Sequence, residues 1–230
     1  LMREADRKNN YTFETLFVDL GMKKEDVEKK VRIGDTVCFE SRYVELKNGR
    51  VSTKTVDDRG CVAIMLRAAQ RLQKMHHEAD LYFVATCQEE IGSYGAMTAG
   101  FQLDPDFGVA FDVCHAETPG APRMYTSKID SLVTSKGPFL HPYLVKKLEE
   151  AAKENNVQLQ VSIDPRWTST DADDLSLVRN GVPMVLLSLP LKYMHTNVET
   201  FDMHALEEGG RLLAHYLSAM DASWEEELWN

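Results

Sequence analysis

The chain has 230 residues, of which 43% are hydrophobic, 27% charged and 9% aromatic. That balance can bury a substantial core, in one large domain or one domain plus part of another. The formal net charge of -10 argues against nucleic acid and anionic membranes as partners, and no apolar run approaches the ~20 residues of a membrane helix.

In chain order, residues 1–11 are polar and without periodicity, an opening that reads as mid-protein. Thr12 to Leu20 is apolar-rich and ends at Gly21, Lys23 to Lys30 is a short charged helix, and Val31 to Glu40 resembles a strand with a turn at Gly34-Asp35. Asn48-Gly49, between Tyr43-Val44-Glu45-Leu46 and Val51, is a hairpin signal. From Asp57 the pattern changes. Cys61, Met65, Ala68, Leu72 and Met75 fall at helical spacing, followed by the apolar run Leu81–Cys87. A short strand, Gly108 to Phe111, ends at Asp112. A helix spans Tyr143 to Asn155, and a strand Leu159 to Ile163. A helix from Asp171 to Asn180 stops at Gly181, a buried strand runs from Pro183 to Leu189, and a long helix covers His204 to Met220. The acidic tail, Trp224 to Trp229, is frayed or used in packing. This alternation predicts an α/β fold, a mostly parallel sheet flanked by helices. The domain boundary is expected between residues 56 and 57.

Four cysteines, Cys38, Cys61, Cys87 and Cys114, form no Cys-x-x-Cys pair, and each lies in an apolar stretch. They read as small buried hydrophobes in a reducing compartment, and no signal segment opens the chain, so cytoplasm is the expected location.

The chemistry is expected where strands end. Leu81–Cys87 runs into Gln88-Glu89-Glu90, Val109–Phe111 into Asp112, and Val185–Leu189 into Pro190 and then His195. Open α/β sheets bind ligands at the carboxyl ends of their strands. Asp57, at the start of a helix, adds a fourth group. Carboxylates and imidazole without thiolate suit Zn²⁺, Co²⁺ or Mn²⁺, and a bridging carboxylate holds two ions about 3.5–4 Å apart. Of two adjacent glutamates, one can coordinate while the other takes a proton from water. Taken singly, each motif also fits a solvated loop, a helix cap or a structural histidine. Their joint occurrence in this order is what points to a site.

Thr55-Val56-Asp57-Asp58-Arg59-Gly60-Cys61, Gln88-Glu89-Glu90-Ile91-Gly92-Ser93-Tyr94-Gly95-Ala96, Phe111-Asp112-Val113-Cys114-His115-Ala116, Thr170-Asp171-Ala172 and Tyr193-Met194-His195 resemble the tetrahedral and glutamyl aminopeptidase family of dinuclear metallopeptidases, some of whose relatives carry a cellulase label. The resemblance implies a zinc-peptidase-like catalytic domain over residues 57–230. Residues 1–56, through Leu16–Gly21 and Ile33-Gly34-Asp35, resemble the C-terminal part of that family's inserted β domain. By the same resemblance Asp57 is a bridging ligand, Glu89 the general base, Glu90 and His195 ligands of one metal, and Asp112 a ligand of the second. Two divalent ions, Zn or Co, short peptide substrates and a homo-oligomer are implied. Asp58 and Arg59 read as supporting residues, and His115 as a residue that orients a neighbour. Thr170 and Asp171 read either as a pocket edge or as a helix cap.

Departures from the family pattern are also legible. No His-x-Asp motif occurs, so the second site is expected to lack a histidine and these 230 residues alone to be inactive. Lys192 stands where the family often has Arg before Tyr, without a bidentate contact to offer. The Ser93-Tyr94 pair also departs from common versions of the glutamate loop. Competing readings are another metallohydrolase on the same scaffold, a deacylase or carboxypeptidase, and a metal-free homologue with a binding or assembly role. A glycosidase is disfavoured, because one base beside metal ligands does not supply its carboxylate pair.

Overall fold

A computed structural model describes residues 12–228. The polar opening stretch 1–11 and Trp229 of the tail lie outside the described residues. Two compact units divide between Glu40 and Ser41.

In the first unit, helix α1 (Lys24–Val27) is the core of the expected charged helix. The expected strand Val31–Glu40 does not form among the described residues. Ile33, Val37 and Phe39 are exposed, and a strand needs a partner to satisfy its backbone.

The second unit opens with the hairpin β1 (Val44–Glu45) and β2 (Arg50–Thr53). Asn48 and Gly49 both have positive φ, 62° and 71°, as a tight hairpin turn requires. Helix α2 (Val56–Leu72) follows, although Asp57 and Asp58 at its start are not helical in φ and ψ. Then come α3 (Tyr94–Leu103), β3 (Gly108–His115), β4 (Leu132–Lys136), α4 (Pro142–Glu154), β5 (Leu159–Ile163) and α5 (Asp171–Leu175). The chain continues through β6 (Met184–Leu191), β7 (Glu199–Asp202), α6 (Met203–Ser218) and α7 (Ala222–Leu228). Helix α5 is shorter than the sequence predicts, and Gly181 adopts φ 96° beyond it.

Among the described residues the strands form two sheets. The larger, in the order β3-β6-β4-β5, is parallel between β3 and β6 and between β4 and β5, and antiparallel between β4 and β6. The smaller, β1-β2-β7, is antiparallel and brings the hairpin against β7. The hairpin therefore belongs with the body of the second unit, upstream of the pattern change at Asp57. β6 is buried along its whole length because it lies between two strands and under helices. Its side chains join Ile64 and Ala68 of α2 and Leu212 and Leu213 of α6 in one core. Gly60 permits the approach of α2 to the sheet, since a Cβ there would come within 3.0 Å of Leu189 Cδ2. The tail packs: Trp224 is buried edge-on to Tyr216 and Tyr143.

The apolar run Leu81–Cys87 forms no ladder among the described residues, and Tyr82, Phe83 and Val84 are exposed. Of the cysteines, Cys61 is buried and Cys114 half-buried, but Cys38 and Cys87 are exposed. No described helix is long and apolar enough to cross a membrane.

Candidate active site

The hairpin and β7 set the position of Asp57. β2 pairs with β7 up to Thr53 opposite Glu199, and the chain then turns through Thr55, in the left-handed region at φ 54°. This turn delivers Asp57 and Asp58 ahead of the regular part of α2. β6 ends at Leu191, and a loop with Tyr193 at φ 59° and His195 at φ 60° presents the imidazole. The glutamates sit in a short turn, Glu89–Ile91, between Gln88 at φ 62° and Gly92 at φ 131°. That turn is anchored from behind: Gly95 N donates to Cys87 O at 2.9 Å. A Cβ on Gly95 would lie 2.4 Å from the Cys87 backbone, so only glycine admits this approach.

Two groups of possible ligands result, and they share Asp57. Asp57, Glu90 and His195 form the first, and Asp57, Asp58 and Asp112 the second, with ligand atoms in each group within 4.8 Å of one another. His195 Nε2 lies 3.1 Å from Asp57 Oδ2 and 3.6 Å from Glu90 Oε2. The sequence reading expects Asp112 at the end of a strand. It lies inside β3, opposite Ser188 of β6, because the ladder continues to His115. Its Oδ1 accepts from the Val113 amide at 2.7 Å, which turns the carboxylate along its own backbone. Asp58, read from sequence as a supporting residue, has its carboxylate in the second group, and its Oδ1 is buried without a partner. His115 is exposed at the end of β3.

Electrostatics mark the cluster as short of positive charge. Burial, then the charge of Asp58, pushes Asp112 up to about 9. Burial, with Asp57 adding to it, pushes Asp58 up to about 8. Asp57 itself is raised, by burial first and then by Glu90, with His195 opposing. Glu89 is raised to about 7 by burial and then by Asp171. Oxygen donors with one imidazole, mutually repelling and partly orphaned, fit a hard or borderline divalent cation, which neutralises the repulsion and takes up the free oxygen. Thiolate is absent from both ligand groups, and Cys61 Sγ instead donates to the Asp112 carbonyl at 3.2 Å.

On the far side of Glu89, Thr170 caps α5, accepting from Ala172 N at 3.2 Å, so the helix-cap role is filled. Asp171 Oδ2 accepts from Thr86 Oγ1 at 2.6 Å, while its Oδ1 is buried and unpartnered. Asp173 holds the preceding loop, accepting from Thr168 N at 3.0 Å and Ser169 N at 2.8 Å. Two residues escaped the sequence reading: Asp173, and Glu199, a fully buried carboxylate beside both Asp57 and His195. The available signal for Glu199 was an acid inside the β-prone run Val198-Glu199-Thr200-Phe201.

Comparison with known proteins follows the same lines. A lysyl aminopeptidase of Pyrococcus furiosus is 36% identical over 228 residues, covering 96% of this chain and 65% of that protein. The aminopeptidase of the archaeon Desulfurococcus kamchatkensis superposes with a TM-score of 0.89 at 28% identity, covering 100% of this chain and 66% of that one. A TET aminopeptidase from a marine-sediment Thaumarchaeota archaeon gives 0.91 at 26%, covering 99% and 66%. The chain thus spans about 65% of the length of these relatives. The family model described as M42 glutamyl aminopeptidase matches residues 1–212, and the chain belongs to that family.

Proposed function

We propose that this chain carries most of the active site of a metal-dependent aminopeptidase that removes the N-terminal residue from short peptides. The observation that carries the reading is the sharing of Asp57 between two ligand groups, with Glu89 beside them and in neither. Asp57, Glu90 and His195 would hold one divalent ion, and Asp57, Asp58 and Asp112 the other, with Zn or Co best suited to the first. Such ions supply a field that polarises the scissile carbonyl and acidifies water.

The chain's own groups do the rest. Glu89 belongs to neither ligand group, so its carboxylate is left free to act as a base. It takes the proton of the attacking water and passes it to the departing amine. Asp171 stands close enough to Glu89 to raise its carboxyl, which supports a place for it at the pocket edge. Thr170 contributes by capping α5 and so fixing Asp171. A homo-oligomer is the assembly that the family resemblance implies. We assign the inserted-domain reading to residues 1–40, the unit that ends at Glu40.

The full-length protein should hydrolyse aminoacyl anilides and short peptides, lose activity to a chelator and regain it with Zn²⁺ or Co²⁺. N-acetylated peptides should not be cleaved. Cleavage of N-acetylated substrates at a comparable rate would move the assignment to a deacylase or carboxypeptidase.

A further inference from the structure

We propose that Glu199 is a positioning residue, which locks the two ligand-bearing segments of Asp57 and His195 into one arrangement by accepting backbone hydrogen bonds from both. The proposal rests on the reading of Asp57 and His195 as metal ligands and adds a residue that neither group contains.

Glu199 is 2% exposed. Its Oε2 accepts from Val56 N at 2.7 Å and from Asp57 N at 3.2 Å, and its Oε1 accepts from His195 N at 2.9 Å. These N–H groups have no regular partner available. Val56 and Asp57 open a helix, where the first amides are orphans, and His195 lies in a loop at positive φ. Non-glycine residues in the left-handed region, here Thr55 and His195, persist where surrounding contacts over-determine them. Glu199 supplies those contacts on both sides.

The topology explains why one side chain reaches both. β7 pairs with β2, which leads into Asp57, and Thr200 exchanges two backbone bonds with Lys192, just past the end of β6 and on the way to His195. Glu199 therefore sits where β7 meets both approaches to the site. All three contacts are donations to it, which suits a carboxylate because that group accepts at both oxygens. A glutamine of the same shape would set an NH₂ donor against an N–H donor at one end or the other. The single-donor end, facing His195, is the one that loses.

The test measures Co²⁺ and Zn²⁺ affinity of the full-length protein by competition with a chromophoric chelator, alongside the unfolding midpoint of the metal-free form. E199Q should weaken binding by about 10–100-fold, the range for outer partners of metal ligands, and shift the visible Co²⁺ spectrum. E199D keeps the charge but is too short to span both segments, so it should fall between E199Q and the unsubstituted protein. A space-filling role would leave affinity alone, and the isosteric E199Q would then match the unsubstituted protein, which overturns the proposal. If E199Q does not fold, E199D decides: unchanged affinity overturns the proposal and a loss supports it. H195A and D57N separate this proposal from the ligand reading. If both still bind metal as the unsubstituted protein does, the ligand reading fails and takes Glu199's role with it. If they lose metal while E199Q keeps it, only Glu199's role fails.

Discussion

The two ligand groups that share Asp57 are built for different conditions. In the first, the side chains of His195 and Glu90 are 65% and 58% exposed, so the group faces solvent and anything that approaches from it. In the second, Asp112 is 8% exposed and Asp58 has an orphaned buried oxygen. Burial keeps protons on Asp112 and Asp58 to about 9 and 8, so at neutral pH the metal-free chain holds this group largely discharged. On the proposed assignment, the same residue types give an open group ready for a cation and a closed one that must first give up protons. Loop placement accounts for the first and the interior of a strand for the second.

Substitutions can separate the two groups. The largest effect belongs to Asp57→Asn, because both groups lose their common ligand. Metal content after dialysis should fall toward zero, and peptide hydrolysis by the full-length protein should fall to background. Retention of one tightly bound ion would show that the groups are independent. Glu89→Gln should break neither group. Turnover should drop by about 10²–10⁴-fold, the usual worth of a general base, with metal content unchanged by elemental analysis. Loss of metal in this variant would remove the division of labour between Glu89 and Glu90. His195→Ala should weaken the open group alone, and Asp112→Asn the closed group alone. A metal titration should then show one strong phase surviving in each variant, and equal loss of both phases in both variants would merge the groups into one.

Much of this site is legible in the sequence, and the rest is hidden for physical reasons. Asp57, Glu89, Glu90 and His195 are readable because each follows an apolar run or opens a helix, and the fold does gather them. Asp112 was readable as a residue but not as a mid-strand one. An acid after Val109-Ala110-Phe111 looks like a terminus, whereas β3 continues because β6 supplies partners as far as Leu191. Leu81–Cys87 and β6 show the converse. Both are apolar runs, but β6 has a strand on each side, while Leu81–Cys87 has no ladder among the described residues and leaves Tyr82 67% exposed. Apolar content reports the capacity to be buried, and pairing decides the outcome. Glu199 offers only a faint signal, an acid inside a β-prone run, because its role is played through three backbone amides that any residue could supply.

The last expected effect concerns protons, and it bears most directly on the closed group. Asp112 has an ordinary carboxyl value of 3.8 when unfolded and about 9 when folded. Between those values the folded, metal-free chain holds a proton that the unfolded chain has released. Stability falls with rising pH wherever the native state binds more protons. The contribution is therefore fully present below 3.8 and is lost as pH rises through the folded value, on the order of 1 kcal/mol per pH unit for one retained proton. Asp58 acts in the same direction over a window that ends near 8. In the presence of chelator, the unfolding midpoint of the unsubstituted chain should drop between pH 6 and pH 9 more steeply than that of Asp112→Asn. A cation entering the closed group must displace the same protons. Calorimetric titration with Zn²⁺ at pH 7, repeated in buffers of different ionisation enthalpy, should accordingly register proton release, and Asp112→Asn should reduce it. Equal release in both proteins would mean that the cation enters only the open group, and that the closed group keeps its protons.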